Sequence, residues 1–313
     1  MAANTVLRRA LLYVPASSPR FLTKSQSLHS DNITYDLEDS VTPSLKSQAR
    51  TNLATHLLTT PRPPGIKDIA VRINAITTPH AEADLTSLAA VPNLDTIVIP
   101  KVNAPSDLET VSSILRHAAP SPSRPIRLLA LIESARAVVD LPSILAAAPP
   151  SLEGLIFAAE DFALDLSLTR TPDLTEFLYA RSAIVTAARA FRLPSVIDLV
   201  CTEYRGEAGI ERLRWECESG RGLGFNGKQC IHPSQVDVVQ AMFAPDEKEV
   251  EWAVRLVVAD EKASASGRGA WTLDGKMIDA PVSGKARAII ARAEACGIDI
   301  KSLREKWKHQ EPS

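Results

Sequence analysis

Short apolar runs rich in β-branched residues recur along the chain, and longer stretches with helical periodicity separate them. The runs cover residues 11–15, 33–38, 69–73, 96–101, 128–133, 155–160, 196–200 and 228–232. None shows polar alternation, which suits strands covered on both faces of a parallel sheet. The clearest helical signal follows Thr171-Pro172-Asp173. Thr171 is expected to cap the helix, with Pro172 at its first position and Asp173 at its positive end. Leu174, Phe177, Leu178, Val185 and Ala188 then share one face. Eight such strand–helix units predict an α/β fold, a (β/α)8 TIM barrel, over residues 1–245; a doubly wound sheet is the alternative. Residues 246–313 form a C-terminal helical extension, with one helix starting near Asp246 and another region over 282–308. Between them, the Gly-rich stretch 262–275 reads as a mobile lid or interface loop, or as a plain surface loop. The Pro-rich stretches 61–65 and 118–125 read as surface connections.

Composition narrows the class. The chain has 313 residues, with 35 Lys and Arg against 37 Asp and Glu, a net charge of −2. That balance argues against binding nucleic acid through phosphate electrostatics. No apolar run approaches the roughly 20 residues of a membrane helix, so no membrane partner is expected. The segment 1–9 is too short and polar for a secretory signal, and Arg8 and Arg9 hint only weakly at a presequence. A mitochondrial or cytoplasmic location is expected. Cys201, Cys217, Cys230 and Cys296 form no C-x-x-C pair, which argues against a disulfide framework or a structural zinc.

In a barrel the C-terminal strand ends carry the chemistry. Here they read Asp36-Leu37-Glu38-Asp39, Arg72-Ile73-Asn74, Pro100-Lys101, Glu133-Ser134 and Glu160-Asp161, with Asp198, Gln229 and His232 on the last two strands. Like charges gathered at one mouth need a cation or protons to coexist. Glu133 and Asp161, on consecutive strand ends, suggest an Mg²⁺ site of two carboxylates with waters and substrate oxygens. The bland alternative is that such carboxylates cap helices or pair with Arg. Arg72 ends an otherwise apolar strand, so it is expected to pair with Glu38 or Asp39, to bind a carboxylate or developing oxyanion, or to do both.

Two motif matches carry no chemistry. Gly222-x-Gly224-x-x-Gly227 fits a dinucleotide fingerprint, but it precedes a strand instead of following one. The overlapping G-x-x-x-x-G-K has Gln229 where Mg²⁺ would need Ser or Thr. Both read as a turn into the eighth strand. No G-x-S-x-G elbow is present, and His232 reads first as a hydrogen-bonded structural residue.

These residues resemble the citrate lyase beta-subunit-like family, within the HpcH/HpaI aldolase superfamily. The matching stretches are LLYVPASSPRF at 11–21, YDLEDSV at 35–41, VRIN at 71–74, IPKV at 99–102, LIES at 131–134, AAEDFALDL at 158–166, GLGFNGKQCIHPSQV at 222–236 and DGKMIDAPV at 274–282. The last looks most like the citramalyl-CoA lyase branch. Ala16 and Ala159 stand where the family often has Gly, and the Ala159 methyl would narrow a 2-oxo-acid pocket. The resemblance implies a homotrimer of barrels, Mg²⁺, and cleavage of a 3-hydroxy-3-carboxyacyl-CoA thioester to acetyl-CoA and a 2-oxo acid. It implies Glu133 and Asp161 as metal ligands, Arg72 as the substrate-binding arginine, and Glu38 and Asp39 as acids around the metal's waters. Asp279 would be an acid/base residue reaching a neighbouring subunit's site. Arg20 and Lys24, after strand one, are candidate CoA phosphate contacts or a solvated face. Alternatives are a malate-synthase-like condensing enzyme or acyl-CoA thioesterase, a metal-dependent aldolase without CoA, and a catalytically silent regulatory barrel. Retention of Arg72, Glu133, Asp161 and Asp279 together argues against the last.

Overall fold

Eight parallel strands close on themselves in sequence order, each pairing with the next and β8 with β1. The strands are β1 Ala10–Pro15, β2 Asn32–Asp36, β3 Asp68–Arg72, β4 Thr96–Ile99, β5 Arg127–Ile132, β6 Leu152–Phe157, β7 Ser195–Asp198 and β8 Gly227–Cys230. The computed structural model describes residues 6–119, 125–267 and 269–313. The closed barrel rules out the doubly wound alternative. Of the Pro-rich connection 118–125, residues 120–124 lie outside the described residues, as does Arg268 of the 262–275 stretch.

Strand periodicity explains the interior. On β3 Asp68, Ala70 and Arg72 point the same way, a charge at each end and a methyl between. Leu11, Ala70, Val98, Leu129, Leu131, Ile156 and Ile197 fill the middle layer. Below it, Arg8 donates to Asp68 (2.6 Å), Ser195 (2.9 Å) and Glu153 (2.8 Å), and Arg127 donates to Asp68 (3.1 Å). Above it stand Tyr13, Arg72 and Gln229. Gly227 lets β8 approach the first strand: a Cβ there would lie 2.1 Å from the Arg8 carbonyl oxygen.

The surrounding helices are α1 Pro19–Ser25, α2 Lys46–Thr59, α3 Ala81–Leu88, α4 Pro105–Ala118, α5 Ala135–Ala146, α6 Ala159–Leu166, α7 Leu178–Ala190, α8 Gly206–Leu223 and α9 Val236–Met242. Their buried faces pack Leu53, Leu85, Leu108, Ile144 and Ile184 against the strands. The chain contact pattern divides into two units, 1–243 and 244–313. The second contains α10 Glu247–Ala265, a hairpin of β9 Trp271–Leu273 and β10 Lys276–Ile278, α11 Ala280–Ala295 and α12 Ile300–Lys306. Val254, Val257, Trp271, Leu273, Ile278 and Ile290 are buried in its own core.

Several local expectations are corrected. α7 starts at Leu178, not beside Thr171, because Leu174 takes a left-handed φ of 56° and interrupts the helix. Thr171 instead bonds Asp173 and Glu176. The 262–275 stretch is no open lid loop: α10 runs to Ala265, and Asp274-Gly275 forms the tip of the β9–β10 hairpin. Glu160 and Asp161 do not end a strand. They sit in the first turn of α6, where carboxylates suit the positive helix end.

Candidate active site

The mouth of the barrel is built around Arg72, the last residue of β3. Its Nε and Nη2 each donate to a different oxygen of Asp36 at 2.8 Å, a bidentate pair across the β2–β3 register. Nη1 lies 3.1 Å from Asp39 and 3.2 Å from Glu38. The expected pairing with Glu38 or Asp39 is therefore present, but the principal partner is Asp36. Burial alone would raise the Asp36 carboxyl; the Arg72 hydrogen bonds and charge outweigh it and hold it below the usual carboxylate range. The Arg72 guanidinium also lies 4.8 Å from the Tyr13 ring centre. Tyr13 donates to Gln229 Oε1 at 3.0 Å, and Gln229 Nε2 donates to the carbonyls of Phe157 (2.8 Å) and Asp198 (3.1 Å). Burial pushes the Tyr13 phenol up, so the group stays neutral and keeps its proton on Gln229. Arg72 thus has no freedom to swing: its face, both edges and its neighbours are fixed.

Glu38, Glu133 and Asp161 form the acidic side of the mouth. Glu38 lies two residues past β2, and Lys46 Nζ from α2 holds this turn by donating to the carbonyls of Leu37 (2.9 Å) and Glu38 (2.7 Å). Glu133 follows β5 directly and is buried. Its Oε1 is buried and has no hydrogen-bond partner among the described residues. Burial first, then the charges of Glu38 and Asp161, push its carboxyl up to about 8. Burial likewise raises Glu38, against the pull of Arg72 and Lys101. Asp161 is 39% exposed and Asp39 is 55% exposed.

Lys101, just past β4, crosses this side. Its Nζ lies 2.9 Å from Glu38 Oε1 and 3.9 Å from Asp161 Oδ1, and its positive charge pulls against the upward shift of Glu133. The sequence places Lys101 at a strand end but gives it no role. Tyr13, Asp36 and Gln229 were also legible only as inward or strand-end positions; their service to Arg72 depends on pairings between distant strands.

The side chains of the remaining candidates make none of the bonds and ion pairs described for this cluster. Arg20 and Lys24 are both exposed on α1. Asp279 belongs to the second unit, is exposed, and caps α11 by accepting from the Val282 N–H at 3.1 Å. Asp198 pairs bidentately with buried Arg181 at 2.6 and 3.1 Å. His232 caps the turn at Pro233–Gln235 by accepting from the Ser234 N–H at 3.2 Å, and its ring stacks on Tyr204. The Gly222–Gly227 stretch ends α8 and turns into β8, with Gly224 at a φ of 103°. All four cysteines are free. No helix among the described residues is long and apolar enough to cross a membrane.

The HpcH/HpaI aldolase/citrate lyase family matches residues 9–233. The chain is 37% identical over 287 residues to (3S)-malyl-CoA thioesterase of Cereibacter sphaeroides, covering 92% of this chain and 95% of that protein. It is 34% identical over 298 residues to mitochondrial citramalyl-CoA lyase of Rattus norvegicus, covering 92% and 86%. Among solved structures, CitE of Mycobacterium tuberculosis in complex with magnesium, acetoacetate and coenzyme A superposes with a TM-score of 0.71 at 30% identity, covering 92% of this chain and 98% of that one. The chain belongs to the HpcH/HpaI aldolase/citrate lyase family and is a lyase of that family.

Proposed function

We propose that this protein reversibly cleaves a 3-hydroxy-3-carboxyacyl-CoA, of the citramalyl-CoA or malyl-CoA type, into acetyl-CoA and a 2-oxo acid. The observation that carries the reading is the buried, partnerless Glu133 Oε1, whose charge Glu38 and Asp161 oppose. Such an oxygen fits a cation that the protein itself does not supply. Among the described residues no three or more His, Cys, Asp or Glu side chains form a metal cage. A site of two carboxylates completed by water and substrate suits Mg²⁺. Glu133 and Asp161 would hold it, with Glu38 and Asp39 bonding its waters. When bound, Mg²⁺ supplies Lewis acidity that lowers the pKa of a substrate hydroxyl. The relatives named for CoA esters, and the structure holding magnesium and coenzyme A, support this reading.

The chain's own residues then have defined work. Asp36 anchors one edge of the rigid Arg72 guanidinium, and the Nη1 side, which in this structure meets the half-exposed Asp39, would turn to the substrate carboxylate and to the oxygen on which charge develops. The hydroxyl at C3 gives its proton to a water at the mouth, the C2–C3 bond breaks, and C3 becomes the ketone of the 2-oxo acid. The electron pair passes to the thioester enolate. Asp279, brought by a neighbouring subunit of a homotrimer, protonates the enolate carbon to give acetyl-CoA, and in reverse removes that proton. Arg20 and Lys24 would meet the CoA phosphates.

Arg72→Ala is not a clean test, because it would strand the buried Asp36 charge at a cost of roughly 3–5 kcal/mol. Arg72→Lys keeps the charge but not the fork. Arg72→Lys and Asp279→Asn should each fold, and each should lower turnover at least about a hundredfold. Mixed trimers of the two variants should recover part of the activity, since one subunit's Asp279 serves another's Arg72. Near-wild-type turnover in either variant refutes its role.

A second reading is favoured by the 37% identical thioesterase: hydrolysis of the thioester in place of C–C cleavage. It predicts free CoA and no 2-oxo acid.

A further inference from the structure

Lys101 is held in a backbone conformation that a lysine rarely adopts. Its φ is +54°, in the left-handed region. Such a conformation persists only where surrounding contacts impose it. Here the carbonyl of Lys101 accepts from Asn103 Nδ2 at 3.1 Å, and Asn103 Oδ1 accepts from the hydroxyl of Ser134. Ser134 is in turn the N-cap of α5, accepting from the Ala137 N–H at 3.0 Å. The chain of bonds runs from a helix end, past Glu133, to the strained residue. The result is that one ammonium is held at the centre of the acidic side, 2.9 Å from Glu38 and 3.9 Å from Asp161.

We propose that Lys101 is a positioning residue whose ammonium is the built-in counter-cation of this acidic mouth, so that a divalent cation binding at Glu133 and Asp161 must displace it from Asp161. The inference rests on the metal site proposed above. The ammonium neutralises Glu38 and Asp161 when no metal is bound, and this holds the acids in place. The same positive charge opposes an entering cation. Lys101 therefore weakens metal affinity while it stabilises the metal-free site. A merely structural residue would do the opposite to affinity: its loss would loosen the acids and weaken binding.

Titration calorimetry of Mg²⁺ into EDTA-treated, dialysed protein, with parent and variants in one buffer, separates the two. Lys101→Met removes the charge. Lys101→Asn also removes it and tolerates the left-handed backbone, so it serves if the first variant does not fold. Lys101→Arg keeps the charge. The neutral variants should bind Mg²⁺ at least about threefold more tightly than the parent, because even a screened unit charge this close changes cation affinity severalfold. They should also melt lower without metal and gain more Tm on adding it, while Lys101→Arg stays within about twofold of the parent Kd. Equal or weaker Mg²⁺ binding by the neutral variants overturns the inference and leaves the metal site standing. No Mg²⁺ binding by the parent protein overturns the metal site itself, and the inference with it.

Discussion

Glu133 carries the sharpest conflict between stability and use at the residue scale. Its carboxyl is raised to about 8, chiefly by burial and then by Glu38 and Asp161. In the unfolded chain it returns to roughly 4.3. The folded protein therefore keeps a proton that the unfolded chain gives up, and stability falls as pH rises from about 4 to about 8. Above that range the buried charge weighs fully. Glu133→Gln should accordingly raise the melting temperature of EDTA-treated protein at pH 9 by about 2–4 °C or more, with little effect at pH 4. The same variant should bind Mg²⁺ poorly. An unchanged or lower melting temperature at pH 9 would mean that the acidic mouth is not strained. Glu133 and Arg72 were legible in the sequence because a charge closing an apolar run stands out. Lys101 was visible as a strand end but its role was not, because no sequence pattern signals a left-handed lysine. Asp36 was masked by Glu38 and Asp39 beside it, and only the β2–β3 register selects it for Arg72.

Long periodic stretches specify their elements in the sequence; single turns do not. The eight strands fall within a few residues of expectation, since buried parallel strands are unbroken apolar runs. At α7 the turn through Leu174 overrides a good capping sequence at Thr171 and delays the helix to Leu178. The composition of 262–275 reads as a loop, yet its Asp274-Gly275 is a strong hairpin signal. Both residues have positive φ, 50° and 75°, and Arg255 clamps Asp274 with bonds of 2.9 and 2.7 Å. Gly275→Ala forces an alanine into that conformation at a cost of about 1 kcal/mol. Amide hydrogen exchange at the paired residues Leu273 and Lys276 should speed up about fivefold, as that energy implies. Unchanged exchange would show that the turn does not hold the hairpin.

Across the whole barrel, one apolar layer separates two polar ends with opposite electrostatics. At the N-terminal end burial would raise Asp68, but Arg8, Thr96 and Arg127 outweigh it and hold its carboxyl at about 2. Arg8 and Arg127 are both paired with acids there, and the end serves stability. At the C-terminal end Glu133 is pushed the other way, and acids outnumber the bases that touch them. The barrel was legible from strand count and spacing. The asymmetry between its ends was not, because Asp68 and Arg72 are equally charged ends of one strand until the closed sheet supplies their partners. That asymmetry is why the mouth, and not the base, is assigned the chemistry. The most direct test incubates the purified protein with citramalyl-CoA and Mg²⁺ and follows pyruvate, acetyl-CoA and free CoA, with EDTA as the control. Release of pyruvate and acetyl-CoA in equal amounts, abolished by EDTA, is the predicted result. Free CoA without pyruvate, or cleavage indifferent to EDTA, would contradict it.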